Sequence, residues 1–379
     1  MEKSYTDDMV ANRRHLHKRP EEGWTEFETT YFVYQYLTAL GLPVSVGKAN
    51  INEKEVLGRD EKLVADGMKR ALAHGVPQAF LDKTEGYTGC VAVLDTGRPG
   101  PVTAFRSDMD CVLVRETDDP EHLPNKLGFA SERPGFMHAC GHDGHTAVGL
   151  EVARWLVENK DKLCGKFKCI FQPAEEGVRG ARAMAAAGIV DDVDYFISGH
   201  VGGAAKLGEI GVMDGGFLAS TKFDVDIEGT PAHAGNAPQL GHSALMAACA
   251  ASMMLAGIPR NGDGETRVSV GTLQAGEGRN VVPAHARLQM EVRGETEEVN
   301  QYMGAYVYDI FAGVDKAYRV KSTVTKAGES TTLEVCPELL DVVEDVMKTV
   351  PDTTMIPRVH VPSGSEDCAL FIRRVVQHG

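Results

Sequence analysis

The string His138-Ala139-Cys140-Gly141-His142-Asp143-Gly144-His145 packs three imidazoles, a thiol and a carboxylate into eight residues. A thiolate and a neutral imidazole are strong ligands for zinc-like ions, and a spacing of two lets Cys140 and His142 reach one point from a turn. The two glycines allow the backbone geometry such a turn needs. The same residues also fit a helix start, with Asp143 as N-cap of a helix over 146–160 and histidines that only form hydrogen bonds. A cap requires neither Cys140 nor the surrounding histidines, so the metal reading is the stronger one. Further along, Gln172-Pro173-Ala174-Glu175-Glu176-Gly177 follows a predicted strand. Adjacent carboxylates in isolation mark a solvated turn. At a strand end, one can bind a metal while its neighbour moves protons, the two tasks of a metallohydrolase. Cys140, His142, Glu176 and His200 are therefore the predicted ligand set, with Glu175 beside the metal but not bound to it.

A sheet must bring these distant residues together. Apolar runs predict strands over 89–94, 102–105, 166–171 and 195–198, separated by the helix over 146–160 and another ending near 187. This alternation predicts an α/β fold, a mostly parallel sheet with helices on its faces. Asp110, Glu175, Glu176 and His200 each follow a predicted strand, so they can converge at the carboxyl edge where such sheets bind ligands. Ahead of the sheet lies a helical stretch over 8–40, interrupted at 20–23, where His15 and His17 are expected on the surface or in local packing. A charged, helix-prone segment over 50–83 reads as an insertion. After residue 216 the pattern becomes strand, helix, strand, strand, helix, strand, the order of a ferredoxin-like α+β domain. The expected division is a catalytic domain at 1–214 and 328–379, re-entered through a helix over 338–349, and an inserted domain at 215–327.

With 379 residues and 43% hydrophobic content the chain can bury a full core. A formal net charge of -15 with no long basic run argues against nucleic acid or an anionic membrane surface as partner. No apolar run is long enough to span a bilayer and the first ten residues are polar, so cytoplasmic residence is the expectation. The eight cysteines show no framework of regular spacings, which predicts reduced thiols. Seven of them are expected to act as small buried hydrophobes, and only Cys140 has ligand-type company.

Five strings together resemble the aminoacylase/carboxypeptidase-like binuclear metal amidohydrolases. They are Arg13-Arg14-His15-Leu16-His17 with Pro20-Glu21, Arg106-Ser107-Asp108-Met109-Asp110, the run 138–145, the run 172–177, and Arg279-Asn280-Val281-Val282-Pro283. That family includes hippurate, auxin-conjugate and p-aminobenzoyl-glutamate hydrolases. The insertion at 50–83, the string Leu94-Asp95-Thr96-Gly97-Arg98-Pro99-Gly100-Pro101 and the segment 188–196 are nearest to the last of these groups. The resemblance implies a metal-dependent amidohydrolase that cleaves an N-acyl or N-aroyl amino acid, p-aminobenzoyl-glutamate foremost. Another acyl group, such as benzoyl or indoleacetyl, and a non-catalytic dimerising member are the alternatives. It implies two divalent ions, manganese or zinc, with Cys140 as bridging thiolate, His142, Glu176 and His200 as further ligands, Glu175 as general base and Asp110 supporting the ligands from behind.

In the smaller domain the resemblance makes His233, within Gly229-Thr230-Pro231-Ala232-His233-Ala234-Gly235, a lid histidine that reaches the active site of the partner protomer. Asn280 and Arg293 match positions that contact the substrate's carbonyl and terminal carboxylate, and an arginine fork suits a carboxylate. A homodimer, or a heterodimer with a homologous chain, is thus expected. The family has one more histidine ligand downstream of Gly364-Ser365-Glu366-Asp367, and this chain stops at Gly379 before that position. A weaker hold on the second metal and a catalytic domain incomplete at its C-terminal end are expected.

Overall fold

In the computed structural model, which describes residues 4–203, 205–360 and 364–378, the turn over 96–101 does not close a hairpin. It wraps around Gly165 instead: the Thr96 amide donates to the Gly165 carbonyl, the Gly165 amide to that of Arg98 and the Lys166 amide to that of Pro101. A Cβ at residue 165 would lie 2.0 Å from the Pro101 oxygen, so only glycine fits under the turn. The strand that begins at Lys166 therefore enters the sheet between the two that the turn connects.

The chain divides into two compact units, Met1–Asp214 with Glu334–Val359 and Asp367–Gly379, and Gly215–Leu333 with His360–Glu366. The first contains α1 (Tyr5–Lys18), α2 (Phe27–Ala39), β1 (Val44–Val46), α3 (Glu61–Ala73), α4 (Gln78–Thr84), β2 (Cys90–Asp95), β3 (Val102–Asp108), α5 (Leu123–Lys126), α6 (His142–Glu158), β4 (Lys166–Gln172), α7 (Gly180–Ala186), β5 (Tyr195–Ser198) and β6 (Glu209–Met213). The second contains β7 (Ala219–Glu228), α8 (Ala244–Ala256), β8 (Thr266–Ala275), β9 (His285–Gly294), α9 (Glu297–Tyr318) and β10 (Lys321–Ser330). The elements α10 (Pro337–Met347), β11 (Thr354–Val359) and α11 (Cys368–His378) return to the first.

The main sheet of the first unit has the order β1-β2-β4-β3-β5. Strands β4, β3 and β5 are parallel, β2 runs antiparallel to β4, and β1 at the margin runs antiparallel to β2. Helices cover both faces, as the alternation of side chains along β3 shows. Ser107 lies under α6, where a Cβ at Gly149 would meet its hydroxyl at 2.5 Å. Arg106 points the other way and donates to Asp367, the residue just before α11. Because α6 runs from the sheet's carboxyl edge, its first turn sits where β3 and β4 end. Helices α1 and α2 break around Pro20, as a residue before proline disfavours helix. The segment expected as an insertion packs closely on that break: Gly67 of α3 has room for no Cβ beside Thr25, and Arg70 donates to the buried Glu21 at 2.8 Å. Strands β6 and β11 form a separate parallel pair that no periodicity announced.

The second unit has the order β10-β7-β9-β8, antiparallel throughout, with α8 and α9 against the sheet. Phe223, Val225 and Ile227 of β7 and Leu288, Met290 and Val292 of β9 alternate into a core closed by Met303, Val307 and Phe311 of α9. Helix α8 meets the same core through Ala244, Ala247, Ala248 and Ala251, small side chains that let its backbone approach closely. This is the ferredoxin-like arrangement. The unit extends past residue 327 because β10 is longer than its apolar run, and because segment 364–366 is tied to it. The Leu218 amide donates to the Gly364 carbonyl, and the Ser330 hydroxyl to that of Glu366. Among the described residues no helix is long and apolar enough to cross a membrane.

Candidate active site

Helix α6 begins at His142, four residues earlier than its apolar periodicity suggests, because Gly141 precedes it at φ 93° and turns the chain sharply. Asp143 is not its cap. It is buried in the first turn, accepting from the Arg13 guanidinium at 3.2 Å and facing His17 Nδ1 at 2.8 Å. His17 is thus no surface residue: it is buried between Asp143 and Glu116, whose charges and hydrogen bonds outweigh the effect of burial and raise its proton affinity. The sequence pattern around His17 is polar, which hid this role.

The acidic turn after β4 is held by its backbone. The Ala174 amide donates to Glu26 at 2.7 Å, and those of Glu175 and Glu176 donate to the two oxygens of Asp110 at 3.1 and 2.9 Å. Three successive N–H groups thus end on two buried carboxylates, which accounts for Ala174 being held at φ 52°. Burial, aided by the charge of Asp110, pushes Glu26 up to about 8. Sequence reasoning missed Glu26 entirely, since nothing in a lone glutamate at a helix start marks it.

This turn sets both glutamates against His142. Its Nε2 lies 3.8 Å from Glu175 Oε2 and 3.8 Å from Glu176 Oε1. On the other side of the ring, Nδ1 faces Asp110 Oδ1 at 3.3 Å. A carboxylate only accepts, so Nδ1 carries a proton, and in the neutral ring the lone pair on Nε2 points at the glutamates. Cys140 Sγ lies 3.5 Å from His200 Nε2, while His200 Nδ1 donates to the Val201 carbonyl at 2.8 Å. Ligand atoms of Cys140, His142 and His200, and again of His142, Glu175 and Glu176, lie within 4.8 Å of one another. The structure thus brings together all four expected ligands and the expected base, with Asp110 behind them.

The residues present fit a divalent cation. His142 Nε2 and Glu176 Oε1 are both buried and have no hydrogen-bond partner, a costly arrangement unless a cation completes it. The electrostatics agree. Burial opposes a charge on His142, yet Asp108 and Asp110 raise its proton affinity well above the ordinary value. Burial, then Asp110, raises that of Glu176. The Cys140 thiol is pulled down by the neighbouring His142 ring, but burial and Glu176 together leave it raised. Such a cluster holds protons tightly because it lacks positive charge, which a metal ion supplies.

The sequence signature of Peptidase family M20/M25/M40 matches residues 104–378. The chain belongs to Peptidase family M20/M25/M40. An M20 relative from Haemophilus influenzae, a homolog of a p-aminobenzoyl-glutamate hydrolase subunit, is 46% identical over 374 residues, covering 98% of this chain and 88% of its own. The indole-3-acetyl-aspartic acid hydrolase of Enterobacter agglomerans is 44% identical over 374 residues, covering 98% and 86%. A solved dinuclear metal-binding peptidase of the M20 family from Bacillus subtilis aligns with a TM-score of 0.63 at 25% identity, covering 98% of this chain and 86% of that one. The chain is accordingly a hydrolytic enzyme of the M20 metallopeptidase and amidohydrolase group.

The remaining expected site residues of this M20 chain lie in the second unit. His233 is exposed in a loop that pairs with the strand-like segment after Asn280, so that the Ala234 amide donates to the Asn280 carbonyl. The amides of Gly235 and Asn236 both donate to His233 Nδ1 at 3.2 Å. An amide cannot accept, so Nδ1 is bare and a neutral ring carries its proton on Nε2, as a donor. The Arg293 guanidinium donates to Glu291 at 2.9 and 3.2 Å, a neighbour two residues away on the same face of β9. Any carboxylate it receives must compete with Glu291. The cysteines also differ in part. None among the described residues is paired, but Cys164, Cys249 and Cys336 are exposed rather than buried.

Proposed function

We propose that this chain is a metal-dependent amidohydrolase that splits p-aminobenzoyl-glutamate into p-aminobenzoate and glutamate. The observation that carries the reading is the pair of glutamates facing a buried, unpartnered imidazole nitrogen. Cys140, His142, Glu176 and His200 would hold two divalent ions, manganese or zinc. The thiolate and imidazoles suit zinc and the carboxylates suit either ion. When bound, the ions would supply Lewis acidity and a water whose pKa falls toward ~7.

The chain's own residues do the rest. Glu175, held by its amide on Asp110, takes the proton of the attacking water on a carboxylate oxygen and passes it to the leaving amine nitrogen. Asp110 keeps His142 in the Nδ1–H tautomer so that Nε2 remains a ligand. His233, a donor at Nε2, and Asn280 would stabilise the oxyanion that develops on the amide carbonyl. Arg293 would receive the substrate's terminal carboxylate by exchanging it for Glu291. The Haemophilus relative is named as resembling one subunit of its hydrolase, which supports a partner chain here, homologous or identical. A dimer in which His233 reaches across to the partner's site is part of this proposal.

The Enterobacter relative favours a second reading, in which the acyl group is indoleacetyl and the amino acid aspartate. Comparing kcat/KM for p-aminobenzoyl-glutamate, indole-3-acetyl-aspartate and hippurate separates them. The proposal expects p-aminobenzoyl-glutamate to lead by tenfold or more, on the order of the discrimination that a pocket fitted to one acyl group gives. A lead for indole-3-acetyl-aspartate would replace the substrate while leaving the chemistry in place.

A further inference from the structure

The third histidine of the 138–145 run has no part in the ligand set, although it is buried and its ring lies 4.6 Å from that of His200. Asp108, His142 and His145 bring ligand atoms within 4.8 Å, as a metal cluster would. Hydrogen bonding argues otherwise. His145 Nδ1 faces Asp108 Oδ1 at 2.6 Å, and its Nε2 accepts the Val201 amide at 2.8 Å. One partner only accepts and the other only donates, so Nδ1 donates to Asp108 and the lone pair on Nε2 is already used.

The far end of this bridge is buried and fully hydrogen-bonded. Asp108 accepts from Arg106 at 2.7 Å, and Arg106 also donates to Gln172 at 2.7 Å and Asp367 at 3.2 Å, all fully buried. The near end is exposed. Gly199, Gly202 and Gly203 are exposed, and a Cβ added at any of them would meet nothing within 4 Å. Val201 is the exception in this loop. Its side chain lies over Gly141, where a Cβ would come within 2.3 Å of it, and its amide is held by His145. Its carbonyl in turn receives His200 Nδ1.

We propose that His145 is a positioning residue for His200: a bridge that fastens the Val201 peptide to Asp108 and so sets His200 Nε2 against Cys140. The inference rests on the reading of His200 as a metal ligand. The geometry makes the Val201 contact the important one, since Asp108 keeps Arg106 whatever stands at 145.

Two substitutions divide the bridge. The oxygen of a glutamine reaches the place of Nε2 and can accept the Val201 amide, whereas an asparagine keeps a donor near Nδ1 and cannot reach Val201. Zinc affinity of the full chain, measured by competition with a chromophoric chelator, is compared with the thermal midpoint of each metal-free protein. His145→Asn should bind zinc about ten- to a hundredfold more weakly, the range for losing a group that orients a ligand, with an unchanged metal-free midpoint. His145→Gln should restore most of the affinity. Parental affinity in both variants, or equal losses in both, overturns the proposal. A His200→Ala control keeps the two readings apart: if it too binds zinc as the parent does, His200 is not a ligand, whereas a loss there with none in His145→Asn defeats the positioning role alone.

Discussion

Glu175→Gln is expected to lower turnover by roughly a hundredfold or more while the protein keeps its metal. The substitution preserves shape, and the backbone at 175 stays anchored because its amide still donates to Asp110. What disappears is the only function that a carboxamide cannot supply at neutral pH, acceptance of a proton. KM should change little, since in the proposed role the side chain acts on the water and the leaving group more than on the bound substrate. Glu176→Gln gives the opposite pattern. Its Oε1 faces His142 Nε2 from 3.8 Å without any other partner, so its first defect should be metal depletion. Metal loss in Glu175→Gln with normal turnover per bound ion would mean that the two glutamates have exchanged roles.

Cys140→Ser is expected to weaken metal binding by about a hundredfold. Structural zinc sites bind with roughly 10–16 kcal/mol shared among four ligands, so one ligand accounts for about 3 kcal/mol, or a factor of about a hundred. Serine keeps the volume, but its hydroxyl is not ionised at neutral pH as a coordinated thiol is. Metal content per chain after dialysis is the readout, and unchanged stoichiometry would remove Cys140 from the ligand set. Alkylation adds a second check. Cys140 should react more slowly with metal present than after chelation, whereas the exposed Cys164, Cys249 and Cys336 should react alike in both states, so modified peptides must be mapped individually.

The sequence revealed the candidate site more fully than it did the sheet. Cys140, His142, Glu175, Glu176 and His200 were legible because their chemistry is unusual at such spacings, and strand ends told where they converge. The parallel strands β3, β4 and β5 were legible from apolar runs, and so was the alternation of the ferredoxin-like unit. The insertion of β4 between β2 and β3 was not, because it depends on a turn closing around Gly165, a contact between residues more than sixty apart that no local pattern encodes. The supporting carboxylates were hidden for a related reason. Glu26 and Asp108 act through backbone amides and neighbouring side chains, and a sequence shows which residues could do chemistry far better than which ones hold them still. His17 and His145 belong with these two: each is a histidine whose partners, Asp143 with Glu116 and Asp108 with Val201, become visible only when α1, α6 and the strand ends are assembled.

The central claim is that Cys140 and its neighbours hold the ion on which hydrolysis depends. The most direct test titrates the metal-free protein with cobalt(II) while following thiolate-to-cobalt absorption and p-aminobenzoyl-glutamate hydrolysis on the same sample. The account predicts that both signals rise together and saturate at one cobalt-to-protein ratio. Hydrolysis in the metal-free protein, or full cobalt binding with no thiolate absorption while Cys140 is intact, would contradict it.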